Sequence, residues 1–269
     1  MAGLWSAGQL SSMLSGLRIV GDYMKTIEEN REFLKGDLWG EWKDLDRDQK
    51  KGIPAPPLQK PYPADATLLE LVQPEKFSLG KVPLIDVITK RKSERNFLPE
   101  PLTLEELSFL LWATQGVRGN SDKLRTVPSA GARHPFETYL IVNKVNDVKP
   151  GLYRYLPLDH ALLFLREDPN FSEKVMDACR GQAFCADSAV VFFWTAIPYR
   201  SEWRYSIIAH KMIAIDSGHV CQNLYLACGS IRAGTCGIGA YNHTKVDTLL
   251  GVDGKEEFTV YLAPVGRVS

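Results

Sequence analysis

Lys90, Arg91, Lys92, Ser93, Glu94 and Arg95 place four cations, one hydroxyl and one carboxylate in six consecutive residues. Guanidinium forks bind phosphate oxygens in pairs and a serine hydroxyl adds one more bond, so this composition suits a dianionic phosphate. If helical geometry persists through the cluster, Arg91 and Arg95, four apart, share a face. The same cations also complement the negative end of a helix, and the cluster by itself does not separate the two readings. A second stretch, Pro128, Ser129, Ala130, Gly131 and Ala132, directly precedes a predicted strand. Its small residues let backbone approach a flat ligand and offer N–H groups and a hydroxyl to ring heteroatoms. An ordinary turn has the same composition. In a third stretch, Gly234, Gly237 and Gly239 fall within six residues, and Gly237, Ile238, Gly239 and Ala240 can set a backbone N–H against a ring nitrogen, where it would stabilise developing charge. A structural turn is the competing reading there too.

The elements that must position these residues are read from pattern. Thr103 and Glu106 form a capping box, Leu107, Leu110 and Leu111 supply an apolar face, and Gly116 stops the helix. Further helices are predicted over 83–90, 172–180, 202–228 and 244–250, the last closed by Gly251. Strands are predicted over 138–142, 152–156, 162–165, 189–195 and 258–262. Sequence-adjacent strand pairs make the sheet largely antiparallel and the class α+β. Residues 24–50 read as helix lying on a larger body, and the proline-dense 54–63 as an extended strap. The expected organisation is an N-terminal extension over 1–80, of which 1–23 is dispensable to the working fold, and a core domain over 81–269.

Composition limits the function classes. Among 269 residues, 32 Lys and Arg balance 32 Asp and Glu, which removes the basic footprint of a duplex nucleic-acid binder or a membrane-surface protein. The apolar stretch at 4–20 is interrupted by Gln9 and Arg18, so neither a signal peptide nor a membrane span is expected. Five irregularly spaced cysteines read as reduced thiols in a cytoplasmic protein. His219, Cys221, Cys228 and Cys236 lack the paired spacing of a metal site. No glycine fingerprint of a Rossmann site or P-loop and no nucleophile elbow is present.

The three stretches, in this order, resemble the nitroreductase superfamily of FMN enzymes and in particular its SagB/ThcOx-type dehydrogenase branch. The resemblance covers residues 81–267. Arg91, Lys92, Ser93 and Arg95 match the Arg-Arg-Ser-x-Arg motif that holds the FMN phosphate, with Lys92 in place of the second arginine. Pro128, Ser129, Ala130, Gly131 and Ala132 look like the loop lying along the flavin, and the Gly237 to Ala240 stretch like the backbone facing the ring near N5. Asp216, Gly218 and His219, followed by Gln222 and Asn223, are similar to a motif on the branch's long helix, and Pro264, Val265 and Gly266 match its terminal strand.

The resemblance implies a nitroreductase-like fold, an intertwined homodimer with FMN at the interface, and ping-pong transfer of two electrons through flavin N5. NADH or NADPH is the candidate electron donor, and a nitro or quinone compound or a peptide azoline the candidate substrate. Arg267 is the one late basic residue available to the phosphate. Azoline-oxidising members carry a catalytic Lys-Tyr pair where this chain has Arg204 and Tyr205. Arginine keeps its proton, which leaves Tyr205 as the candidate catalytic residue and puts azoline oxidation in doubt. The alternative is a non-catalytic flavin-binding or scaffold subunit of a peptide-modifying complex.

Overall fold

A computed structural model describes residues 26–36, 38–119 and 121–269, side chains of 122 and 123 excepted. Two compact units divide between Leu45 and Asp46. In the first, helix α1 (Ile27–Lys35) opens with a capping box between Thr26 and Glu29. It closes at Gly36, whose φ of 57° is the left-handed turn that glycine adopts without penalty. The helix expected across 24–50 therefore ends early. The expectation for residues 1–23 lies outside the described residues.

In the larger unit the chain forms β1 (Leu68–Glu70), α2 (Leu84–Lys90), α3 (Leu104–Gln115), β2 (Val117–Arg118), β3 (Ser121–Arg125), β4 (Phe136–Val142), β5 (Gly151–Leu156) and β6 (Ala161–Arg166). It continues through α4 (Phe171–Ala178), α5 (Phe184–Asp187), β7 (Val190–Ala196), α6 (Tyr199–Tyr205), α7 (Ala209–Gly229), β8 (Ala233–Thr235), α8 (His243–Leu250) and β9 (Phe258–Arg267). Seven strands make one sheet in the order β1-β6-β5-β4-β7-β9-β8, every pairing antiparallel, while β2 and β3 form a separate hairpin.

Both faces of the sheet are buried, and the two-residue alternation of strands sorts the side chains between them. Leu140, Val142, Phe192 and Trp194 face one core with Leu107, Leu110 and Leu111 of α3 and Ile213, Val220 and Leu224 of α7. Tyr139, Ile141, Val191 and Phe193 face the other, packed against α4, α5 and α8. The capping box at Thr103 and Glu106 is present, and Gly116 caps α3 as expected.

One expectation is corrected. The helix read across 202–228 is two helices, α6 and α7. Ser206 at φ 48° breaks the helix between them, and the apolar pattern that runs through Ile207 and Ile208 conceals the break. The strap lies in the larger unit, which begins at Asp46. Buried charged groups fasten it: Lys60 N–H donates to Glu137 Oε1 at 2.8 Å, Arg154 Nη2 to the carbonyls of Lys60 and Pro61, and Arg125 Nη2 to that of Leu58. Its start is tied to α6, since Trp203 Nε1 donates to the Ile53 carbonyl at 2.8 Å and the Trp203 carbonyl accepts Gln49 N–H at 2.9 Å.

Glu137 holds this joint, because it also takes Arg200 Nη2 at 2.5 Å and both side chains are almost wholly buried. Glu137→Ala leaves the Arg200 charge uncompensated in a dry interior and is expected to cost about 3–5 kcal/mol of stability by urea unfolding. A loss below about 1 kcal/mol, the worth of an exposed pair, would contradict this role.

Candidate functional site

Helix α2 stops at Lys90, and Arg91 leaves it at φ −57°, ψ 123°. Arg91 and Arg95 therefore do not share a helix face, which corrects the expectation drawn from their spacing. The contacts alternate instead, as along an extended chain. Arg91 lays its guanidinium over the Tyr225 ring at 5.3 Å, Ser93 Oγ lies 3.0 Å from the Tyr225 hydroxyl, and Arg95 sits over Phe184 at 6.0 Å. The residues between turn to one another, Lys92 pairing with Glu94 at 3.1 Å.

Tyr225, on α7, was not singled out from sequence. Its hydroxyl accepts the Gly237 N–H at 2.8 Å while meeting Ser93, so one oxygen joins the first and third predicted stretches. The only signal available for it was its place on the helix carrying Gln222 and Asn223. Asn223 itself ties helices together, donating to the Ala113 carbonyl of α3 at 2.8 Å.

The glycines of the third stretch include two that packing demands. A Cβ on Gly234 would stand 2.5 Å from Glu94 Cγ, and one on Gly237 would stand 2.4 Å from the Tyr261 hydroxyl. The Gly237 N–H is spent on Tyr225 and that of Ile238 on the Leu262 carbonyl. The N–H groups of Gly239 and Ala240 have no acceptor among the described residues. A cavity of about 640 Å³ adjoins this region, lined by Lys90, Arg91, Tyr225, Arg232, Gly234 and Thr235.

The second stretch is held elsewhere. Asp216 of α7 accepts the Ala130 N–H with both carboxylate oxygens at 3.2 Å, and the Ser129 hydroxyl beside it works to lower its pKa. Ser129 Oγ in turn accepts the His134 N–H at 2.9 Å. Gly131 has φ 58°, and a Cβ there would lie 2.5 Å from the Tyr205 hydroxyl and 2.8 Å from Arg204 Cδ. The loop, Arg204 and Tyr205 are thus brought together, and Gly131 makes the close approach possible. Burial raises the Asp216 pKa against the opposing effect of its hydrogen bonds.

Asp216 and Tyr225 stand nine residues apart on α7, two and a half turns or about 13 Å of helix. That half turn puts the loop and the cation cluster of one chain on opposite sides of the same helix. Arg267 joins neither group: it bonds Glu106 at 2.6 Å and the carbonyls of Ile231 and Pro101 at 3.2 and 3.3 Å. Among the described residues no group of His, Cys, Asp and Glu is arranged to hold a metal ion, and no helix is long and apolar enough to cross a membrane.

A family model described as the nitroreductase family matches residues 88–267. A curated protein of Methanocaldococcus jannaschii, named as a nitroreductase, is 34% identical over 189 residues, covering 70% of this chain and 93% of its own. A solved structure from Anabaena variabilis, also named as a nitroreductase, is 27% identical with a TM-score of 0.60 over 69% of this chain; the match spans only 38% of that longer chain. A chain of the Escherichia coli microcin synthetase McbBCD complex, solved with truncated pro-MccB17 bound, shares the fold at 17% identity. Its TM-score is 0.58, covering 92% of this chain and 99% of that one.

The raised Asp216 pKa has a consequence for stability. A carboxyl whose folded pKa lies above its unfolded value contributes stability below the unfolded pKa, and loses it as pH rises through the folded pKa. Relative to the parent, Asp216→Asn is therefore expected to be more stable at neutral pH than it is below the ordinary carboxylate range. Urea midpoints of both proteins across that range check this, and a difference independent of pH would contradict it.

Proposed function

The chain belongs to the nitroreductase family of oxidoreductases, and on that premise we propose that it binds FMN between two copies of itself and uses it to move two electrons between substrates. The observation that carries this reading is the Tyr225 hydroxyl, which joins Ser93 to Gly237 beside the 640 Å³ cavity. The donor set suits the cofactor. Among the described residues Arg91 and Arg95 have ring contacts and no carboxylate partner, so their charge is available to a phosphate, and Ser93 adds a hydroxyl between them. The N–H groups of Gly239 and Ala240 are available to ring heteroatoms.

When bound, the flavin supplies two-electron chemistry at its ring N5, in ping-pong fashion. The protein's part is to place and enclose it. Arg91, Ser93 and Arg95 hold the phosphate and Lys92 adds charge at longer range. Gly237, Ile238, Gly239 and Ala240 wall one side of the ring. Pro128, Ser129, Ala130, Gly131 and Ala132 lie across α7 from the cation cluster, so they wall the ring held by a second copy, and a homodimer follows. Arg267 is assigned to the fold, because its donors are committed to Glu106 and two carbonyls.

Tyr205, against Gly131, is the residue placed to hold or pass a proton. NADH or NADPH is the proposed donor, and nitro or quinone compounds stand ahead of azolines because Arg204 cannot serve as a base. The cytoplasm is the proposed setting for a chain whose five cysteines are all unpaired. Arg204 is also the one feature that favours the second reading, a scaffold subunit without turnover. The visible spectrum separates them: flavin bands that a nicotinamide bleaches support the enzyme, and a colourless protein that takes up no FMN supports the scaffold.

Arg91→Ala is expected to weaken FMN binding by about 2 kcal/mol or more, and Tyr225→Phe by about 1 kcal/mol. Unchanged affinity in both, measured by flavin fluorescence titration, would remove the phosphate assignment. Tyr205→Phe is expected to keep its flavin and lose about a hundredfold in turnover. Parental turnover would make Tyr205 a packing residue.

A further inference from the structure

Two guanidinium groups flank the 129–132 loop, and neither meets a carboxylate among the described residues. Arg133 follows the loop directly, is 8% exposed and lies over the Trp203 ring at 4.9 Å. Arg204, the next residue of α6, lies over the Tyr205 ring at 5.5 Å, with Nε 2.9 Å from the position of a Cβ on Gly131. In both, the Nε atom is buried without a hydrogen-bond partner.

The ring contacts leave the two Nε donors unmet. Buried donors left in this condition are rare in folded proteins, because the desolvation cost goes unrecovered. Two carboxylates of the surrounding elements already have donors: Glu137 Oε1 takes Arg200, and the Asp216 oxygens take the Ala130 N–H. Burial, and after it the charge of Arg204, draws the Arg133 pKa below the ordinary arginine value, which an incoming anion would reverse.

We infer that Arg133 and Arg204 form a receptor for an oxyanion, the carboxylate or phosphate of the second substrate, beside the loop that walls the flavin. The planar fork of Nε and Nη matches either anion with two parallel bonds, and the Trp203 and Tyr205 rings give each guanidinium a contact before the anion arrives. The position of this receptor in the reaction rests on the FMN reading; its donors do not. A neutral nitro compound or quinone leaves both edges unpaired, so the pair discriminates by charge where a wall of apolar side chains could not.

The test is equilibrium binding of para-nitrobenzoate and of its neutral counterpart para-nitrobenzamide to the purified full chain, by calorimetry, with FMN occupancy read from absorbance of the same sample. The same comparison of NADPH with NADH reports a phosphate source. The parent is expected to prefer the anionic member of at least one pair by about tenfold, the worth of one charge-assisted bond. Arg204→Gln should bring that preference within about twofold, and Arg204→Lys, which keeps a point charge, should retain about threefold. No preference in either pair, a preference unchanged in Arg204→Gln, or complete loss in Arg204→Lys would each overturn the receptor. A flavin-free protein that keeps an Arg204-dependent preference would support the receptor while refuting the FMN reading, and a flavin-loaded protein without one would do the reverse.

Discussion

The Tyr225 hydroxyl accepts the Gly237 N–H and meets the Ser93 hydroxyl, and much of the proposed site depends on these two short contacts. A phenol oxygen can take one bond and give another, so it joins two backbone segments that also meet directly, where the Glu94 N–H donates to the Thr235 carbonyl at 3.0 Å. The segment after α2 carries cations that repel one another and has no apolar residue to bury before Phe97. The segment after β8 carries glycines that let it press against Glu94 and Tyr261. Set on α7, whose apolar positions are in the core, the tyrosine gives both a fixed reference.

The same helix constrains the rest. Asp216 anchors the second loop through the Ala130 N–H, and it does so half a turn out of phase with Tyr225. A rigid helix cannot bring both faces to one ligand. On the proposed reading, a complete site takes one half from each of two chains. The neutral net charge fits local recognition: four of the 32 Lys and Arg residues are gathered at 90–95.

The sequence disclosed those parts of the fold whose causes are local. The capping box at Thr103 and Glu106, the stop at Gly251 with φ 75° and the alternating strands all follow from nearest neighbours. Strands of three residues, such as β1 and β8, carry too little alternation to be seen. The break at Ser206 is hidden because apolar residues continue through it, whereas the helix end at Lys90 is where the pattern places it. Of the site, the residue types of all three stretches were legible. The Tyr225 bridge, the Asp216 anchor and the unmet edges of Arg133 and Arg204 were not, because each depends on residues brought together across the fold.

The account stands on a cofactor site completed by a second copy, and mixing two damaged chains tests that most directly. Arg91→Ala weakens the phosphate half and Ala130→Trp blocks the loop half, so each variant alone should retain far less FMN than the parent. In a mixed dimer, a shared site places both defects in one pocket and leaves the other intact. Co-expressed, separately tagged chains purified as the mixed dimer should then hold one FMN per two chains. If each chain builds its own site, every pocket carries one defect, and a mixed dimer as colourless as its parents would contradict the account.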